Sequence, residues 1–135
     1  GSHAVEWFED GAPVTLPDDF YSSRTLVDKM IDYVDAGDPE RPFFAYLSLQ
    51  AAHMPIQGPA EFVDRYNGAF DKGWDVMREQ QRQRAIDLGL VPTTTALAPP
   101  PAIHRAWEEL SKKEQAVSAR EMQVNAGMME AADYH

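Results

Sequence analysis

The sequence predicts an α/β fold that is predominantly helical, with one core strand and a hairpin near the N-terminus. Residues 43–49 form a nearly unbroken apolar run, which is typical of a short strand buried on both faces in a parallel sheet. Most other apolar residues recur at helical spacing. Asp10-Gly11 lies between two short apolar arms, and this pair is a hairpin signal.

Composition excludes several classes of protein. The chain has 135 residues, enough for one compact domain, and 44% of them are hydrophobic, which is ordinary for a globular protein. The net charge of -10 argues against nucleic-acid and anionic-membrane partners, because such surfaces need clustered Lys and Arg. No apolar run approaches the roughly 20 residues of a membrane-spanning helix. Cysteine is absent, so this chain holds no disulfide, thiolate metal site or cysteine nucleophile.

The N-terminal region divides into a remnant and a structured segment. Residues 1–3 have the sequence Gly-Ser-His, which resembles the remnant of a cleaved affinity tag, and we exclude them from the fold prediction. Residues 4–16 predict a surface hairpin or an ordered loop. Pro13 confines the second arm of this hairpin to a sheet edge.

An amphipathic helix is predicted next. Ser22 or Ser23 offers an N-cap, and Gly37 supplies a stop. We interpret Asp18-Asp19 as an acidic pair that stabilises the first turn through the helix dipole. One apolar stripe is formed by Leu26, Val27, Met30, Ile31 and Val34.

The predicted core strand leads into a turn that carries His53. Pro55 favours an extended Met54, so no helix begins at His53. Ligands and catalytic groups gather at the carboxyl ends of strands in open α/β sheets. His53 is therefore the candidate catalytic residue, although a lone histidine specifies no reaction.

The second half of the chain predicts helices on both sides of an extended connector. Pro59 suits the first position of a short helix that ends at Asn67-Gly68. A longer helix is expected over about residues 71–88, with Arg78 and Arg82 on its exposed face and Gly89 at its end. Residues 91–101 contain four prolines and three consecutive threonines and predict the connector.

Two helices are expected to complete the chain. The first covers about residues 102–110. The second opens with the capping box Ser111-Lys112-Lys113-Glu114 and continues to His135.

Other chemical motifs are absent or weak. The sequence has no His-x-x-x-His pair, no Asp-x-Asp-x-Asp run and no glycine-rich phosphate loop. Ser48 lacks the Gly-x-Ser-x-Gly elbow of an α/β-hydrolase nucleophile. The residues alone therefore indicate part of an α/β domain with a candidate histidine, and no reaction.

The stretch around His53 resembles the type I sulfatases, particularly the bacterial arylsulfatases. Residues 41–47, Arg-Pro-Phe-Phe-Ala-Tyr-Leu, are similar to the family's PFF-x-Y strand. Residues 52–59, Ala-His-Met-Pro-Ile-Gln-Gly-Pro, are similar to its Ala/Pro-His-x-Pro turn. Further similarity follows in chain order at residues 61–66, 71–75, 88–92, 107–111 and 122–133.

The resemblance implies a fragment of an alkaline-phosphatase-like sulfatase domain. Residues 4–135 are then expected to be an internal segment of one such domain, incomplete at both ends. The family hydrolyses sulfate esters with a formylglycine nucleophile and a calcium ion held by Asp and Asn residues. Of its catalytic groups only the turn histidine has a counterpart here, and that is His53, with an expected role as hydrogen-bond or proton donor near the sulfate ester oxygen.

The departures from the family pattern carry their own expectations. The chain has neither a Cys/Ser-x-Pro/Ala-x-Arg motif nor an Asp-Asn-Gly segment, and both are expected outside it. We therefore expect the isolated chain to be inactive and to bind neither cofactor, while the parent acts on a small-molecule sulfate ester in the cytoplasm or periplasm of a bacterium. Because a buried strand needs neighbours on both edges, the isolated chain is also expected to self-associate or exchange strands, or else to hold a non-native helical arrangement.

Two alternatives stay open. A phosphonate or phosphate monoester hydrolase of the same superfamily would share the turn histidine. A helical interaction module without catalytic activity would use the amphipathic helices and the acidic surface instead.

Overall fold

The computed structural model describes residues 6–135, which divide into two compact units. The N-terminal unit comprises residues 6–50 together with His135, and the C-terminal unit comprises Ala51–Tyr134. Residues 1–5, including the predicted tag remnant and the first residues of the hairpin segment, lie outside the described chain.

The predicted hairpin is confirmed. Strands β1 (Trp7–Glu9) and β2 (Ala12–Val14) pair antiparallel, with Phe8 opposite Pro13. Asp10 and Gly11 have φ angles of 51° and 79°, as a two-residue type I′ turn requires. Pro13 lies in a two-stranded sheet, where both strands are edges, so its missing N–H is tolerated.

Helix α1 (Ser22–Asp35) confirms the predicted helix but not its cap. The N-cap is Tyr21, which makes no side-chain cap hydrogen bond, so the assignment of Ser22 or Ser23 was wrong. The first turn contains no acidic residue, and Asp19 instead forms an ion pair of 2.8 Å with Arg24. The interpretation of Asp18-Asp19 as a dipole-stabilising pair was therefore also wrong, because the helix begins after them.

Glu9 joins the hairpin to α1. Its Oε1 accepts hydrogen bonds from Lys29 Nζ at 2.8 Å and from the Tyr33 hydroxyl at 3.0 Å. The hydrogen bond from Lys29 is the main reason that the pKa of Glu9 lies below its ordinary value.

The predicted core strand is wrong for this chain. Residues 43–49 form neither strand nor helix, and the side chains of Phe43, Phe44 and Tyr46 are 71%, 91% and 80% exposed. The only sheet among residues 6–135 is the β1–β2 hairpin, so no described strand pairs with this run. An apolar run becomes a buried strand only where other strands supply its hydrogen-bond partners and helices cover its faces.

The C-terminal unit holds the buried core of the described residues. Helix α2 (Ala60–Val63) continues into a 3₁₀ turn (Asp64–Tyr66), and both pack against the long helix α4 (Lys112–Tyr134). The short helix ends at Asn67-Gly68 as predicted, with Pro59 one position earlier than expected, at the N-cap. The hydrophobic residues buried in this unit are Phe62, Val63, Trp107, Met128 and Ala131.

Helix α3 (Gly73–Asp87) binds the proline-rich connector, residues 91–101, through hydrogen bonds from two arginine side chains. The helix matches its prediction, and Gly89 follows its end with a φ of 69°. The connector has no helix or strand, also as predicted. Arg78 and Arg82, predicted on the exposed face, are half-buried, because Arg78 donates to the Ala98 carbonyl at 2.6 Å and Arg82 to the Thr95 carbonyl at 3.0 Å.

The helix predicted over residues 102–110 is reduced to a 3₁₀ turn, Trp107–Glu109. The Trp107 N–H donates to the Asp75 carboxylate at 3.1 Å, and the Trp107 ring meets Trp74 edge to face at 4.9 Å. Ile103, an apolar residue of the helix predicted over residues 102–110, is 87% exposed. Contacts with α3 therefore fix Trp107 and override the helical spacing.

None of the helices between residues 6 and 135 combines the length and the apolar character needed to cross a lipid bilayer.

Candidate active site

His53 lies in an irregular turn that opens the C-terminal unit. The turn spans residues 51–55, and the His53 side chain is exposed to solvent. Because residues 43–49 are not a strand, the structure does not place His53 at the carboxyl end of a sheet strand, which was the positional argument from sequence. Its place in the chain, directly after the exposed apolar run, is unchanged.

The backbone before His53 adopts an unusual conformation. Ala52 has a φ of 71°, in the left-handed region that residues with a Cβ seldom enter. Such a conformation costs about 1 kcal/mol or more and persists only where surrounding structure maintains it. Sequence reasoning missed this residue, because alanine, unlike glycine or asparagine, gives no sign of a left-handed position.

The imidazole of His53 has one nitrogen engaged and one available. Nδ1 lies 2.7 Å from the Met54 carbonyl oxygen, so Nδ1 carries the proton and donates it to this contact. Nε2 is then an acceptor in the neutral ring and a second donor in the imidazolium. A role as donor to a substrate oxygen therefore requires the imidazolium form.

No other described side chain completes a catalytic group around His53. Within residues 6–135, no hydrogen bond or ion pair joins its ring to a charged side chain. His104, between the connector and the Trp107 turn, is also exposed. The structure therefore brings no second candidate catalytic residue to His53.

The acidic and histidine side chains of residues 6–135 do not form a metal site. No three His, Asp or Glu side chains in residues 6–135 are grouped closely enough to hold a metal ion. The acidic residues that form ion pairs, such as Glu9, Glu79 and Glu114, are engaged by Lys or Arg. These residues do not fit a calcium ion.

A groove in the N-terminal unit is distinct from the His53 turn. It lies between the C-terminal part of α1 and residues 37–46, and its lining includes Met30, Val34 and the exposed aromatic rings of Phe43 and Tyr46. His53 is not among its lining residues.

Comparison with known protein families identifies the chain. Residues 2–135 match the family described as Sulfatase. An uncharacterized sulfatase of Schizosaccharomyces pombe is 39% identical over 115 residues, which is 84% of this chain and 21% of that protein. An arylsulfatase of Klebsiella aerogenes is 36% identical over 124 residues, 92% of this chain and 26% of that protein.

The similarity extends to animal sulfatases over a shorter range. Arylsulfatase J of Mus musculus is 28% identical over 57 residues, 42% of this chain and 10% of that protein. The chain thus spans about a quarter or less of the length of these relatives. Because the family match covers nearly every residue, the chain belongs to the sulfatase family.

Proposed function

We propose that this chain is part of a sulfuric ester hydrolase of the arylsulfatase type, and that His53 is one of its catalytic residues. The observation that carries the proposal is the match of residues 2–135 to the sulfatase family, together with an exposed histidine whose Nε2 has no hydrogen-bond partner among residues 6–135. The 36% identity to the arylsulfatase of Klebsiella aerogenes supports an arylsulfate as the substrate class.

The proposed role of His53 follows from its ring geometry. With Nδ1 donating to the Met54 carbonyl, the imidazolium Nε2–H is the group that can reach a substrate oxygen. It donates a hydrogen bond or a proton to the ester oxygen as the sulfur–oxygen bond breaks, which stabilises the alcohol or phenol that leaves. The hydrogen bond to the carbonyl orients the ring during this step.

The nucleophile and the metal belong to other parts of the proposed enzyme. The sequence contains no cysteine and no formylglycine motif, and residues 6–135 provide no group of metal ligands. We therefore assign the formylglycine nucleophile and the calcium ion that the family resemblance implies to segments outside this chain.

The proposal is tested in the complete sulfatase that contains this segment. Hydrolysis of 4-nitrophenyl sulfate is measured for the unchanged enzyme, for His53→Ala and for His53→Gln. We expect His53→Ala to lower kcat on the order of 100-fold, the usual contribution of a positioned acid. His53→Gln keeps an N–H donor without a transferable proton. A kcat for this variant between those of the unchanged enzyme and His53→Ala would assign hydrogen bonding, rather than proton transfer, as part of the role of His53.

His104→Ala is the matched control, because His104 is an exposed histidine of the same chain. It is expected to leave kcat within about twofold of the unchanged enzyme, as surface substitutions away from a site usually do. A His53→Ala enzyme with full activity would overturn the catalytic assignment.

The same assay separates the alternative activities. Parallel measurements with 4-nitrophenyl phosphate and a phenyl phosphonate monoester would reveal a phosphate or phosphonate hydrolase if either exceeds the sulfate in kcat/KM. Absence of hydrolysis with all three esters, with His53→Ala changing only partner binding, would favour the helical interaction module.

A further inference from the structure

Helix α4 provides the surface on which the segment after the His53 turn packs. We call this surface, formed by Gln123, Gly127 and Met128, the α4 seat. Gly127 on α4 lies so close to α2 that a Cβ at this position would stand 2.6 Å from Val63 Cα and 2.7 Å from Val63 N. Real Cβ atoms do not approach backbone atoms this closely. Gly127 therefore lets the backbones of α2 and α4 pack in direct contact.

The chain enters this seat at Gly58, five residues after His53. A Cβ at Gly58 would lie 3.1 Å from Met128 N and 3.2 Å from Val63 Cγ2, so the Gly58 backbone rests between α4 and Val63. Gly58, three residues after the end of the His53 turn, therefore packs closely against α4.

Gln123 stabilises the contact between α4 and the α2 segment with two hydrogen bonds. Its Nε2 donates to the Val63 carbonyl at 2.9 Å and to Asn67 Oδ1 at 2.6 Å, and the side chain is buried. Both N–H groups of the amide are therefore used, one on the end of α2 and one on the residue that closes the 3₁₀ turn. A buried carbonyl that loses such a donor carries a desolvation cost, so the bond to Val63 specifies the register of α2 on α4.

The backbone of the His53 turn is not held by backbone–backbone hydrogen bonds to other described residues. Within the described chain, no backbone–backbone hydrogen bond is formed by residues 42–58; the nearest are Arg41 to Asp38 before them and Phe62 and Val63 to Pro59 after them. The position of the His53 turn within the C-terminal unit therefore depends on where α4 holds Gly58 and α2.

We propose that Gln123 and Gly127 are positioning residues for His53, acting through the contact of Gly58 and Val63 with α4. This inference rests on the catalytic role proposed for His53. Neither residue touches substrate: Gln123 fixes α2 against α4, and the fixed α2 determines where the preceding turn carries the imidazole. A displacement of about 1 Å in a catalytic group is sufficient to cost up to 100-fold in rate.

The test is a double-mutant cycle in the complete sulfatase with 4-nitrophenyl sulfate as substrate. Gln123→Glu keeps the shape of the side chain but removes both N–H donors. We expect it to lower kcat about 10-fold with KM changed less than about twofold, because transition-state alignment is lost while ground-state binding is kept. In the His53→Ala background, Gln123→Glu is expected to lower kcat by no more than about twofold, since residues that act through one another are non-additive.

Gln81→Glu is the matched control. Gln81 is an exposed glutamine on α3, and the same substitution there adds the same charge without touching the seat. It is expected to leave kcat within about twofold in both backgrounds.

Gly58→Ala gives a second, milder variant if Gln123→Glu does not fold. Its added methyl group must displace Met128 or Val63 by a few tenths of an ångström. The same non-additivity with His53→Ala is expected.

The outcomes distinguish this inference from the proposed function. Equal fractional losses of kcat in the two backgrounds would show a general structural role and overturn the positioning role alone. A His53→Ala enzyme that keeps its kcat would overturn the catalytic role of His53, and with it this inference. Loss of the Gln123→Glu effect in the His53→Ala background supports both.

Discussion

Gly73 combines two requirements that only glycine meets. Its φ of 78° lies in the left-handed region, and a Cβ there would stand 2.1 Å from the Trp107 ring. The ring packs over the start of α3 because Gly73 has no Cβ to occupy the space in which the indole lies. The contact also explains why Trp107 is 7% exposed although it belongs to a short 3₁₀ turn.

We expect Gly73→Ala to lower the free energy of unfolding by about 2–4 kcal/mol. Left-handed strain contributes about 1 kcal/mol and the clash with the indole a further 1–3 kcal/mol. Gly89→Ala is the control, since Gly89 has a similar φ of 69° but open space around it. Urea unfolding of both variants separates the backbone strain from the clash with the indole. Equal losses in the free energy of unfolding for Gly73→Ala and Gly89→Ala would contradict a steric role for Trp107.

At the scale of elements, the start of α4 shows how local sequence fixes a helix end. The capping box predicted from Ser111 and Glu114 is confirmed: Glu114 N donates to Ser111 Oγ at 3.3 Å, and Ser111 N donates to Glu114 Oε2 at 2.7 Å. Arg105 adds a bond of 2.8 Å to the same carboxylate. The hydrogen bonds from Ser111, with the help of Arg105, lower the pKa of Glu114 from 4.5 to about 2.

This cap predicts a pH-dependent contribution to stability. Because the folded pKa is lowered, the ionised Glu114 stabilises the fold above about pH 4.5, and the contribution is lost as the pH falls towards about 2. We expect Glu114→Gln to lower the midpoint temperature of thermal unfolding at pH 7. The difference in midpoint temperature between this variant and the unchanged chain is expected to become smaller as the pH is lowered. Glu121→Gln, on the exposed surface of the same helix, is the control; a Glu114→Gln difference that is constant with pH would exclude this linkage.

The elements that the sequence predicted well are those with local signals. The hairpin turn, α1, α3 and the start of α4 follow from Asp10-Gly11, apolar spacing, Gly89 and the Ser111 box, each within a few neighbouring residues. The failures depend on distant parts of the chain. The helix predicted over residues 102–110 does not form, because contacts with Asp75 and Gly73 fix the position of Trp107. No pattern in the neighbouring sequence predicts these contacts.

The candidate site was predictable only in part. His53 was singled out by its position after the predicted strand and by its family-like turn, and its catalytic role remains a prediction that no contact in the structure tests. The engaged Nδ1, the left-handed Ala52 and the seat at Gly127 depend on three-dimensional geometry, which residue types and spacing do not encode. The buried strand failed for a related reason, because its partners would have to come from other strands.

For the whole molecule, the exposed run at residues 43–47 dominates the expected behaviour in solution. Phe43, Phe44 and Tyr46 are exposed apolar side chains close together in the sequence, and Ile31 and Tyr33 of α1 in the same unit are each 52% exposed. Exposed apolar side chains beside unpaired backbone groups favour association between chains.

We expect the isolated chain to self-associate with rising concentration, which light scattering measures as an increase in molar mass. The double variant Phe43→Ser and Phe44→Ser is expected to shift this increase to higher concentration. Ile103→Ser is the control, because Ile103 is exposed but lies in the other unit, outside this run. A constant monomer mass for the unchanged chain at all concentrations would contradict the prediction.

The edge-to-face tryptophan contacts have an optical consequence. Trp7 meets Phe20 at 4.9 Å in the N-terminal unit, and Trp74 meets Trp107 at 4.9 Å in the C-terminal unit. Aromatic rings held in fixed, asymmetric packing give near-ultraviolet circular dichroism, and this signal vanishes when packing is lost even if helices persist. Each unit therefore contains its own chromophore pair, and replacing Trp7 by phenylalanine leaves a spectrum whose tryptophan bands arise from the C-terminal unit alone.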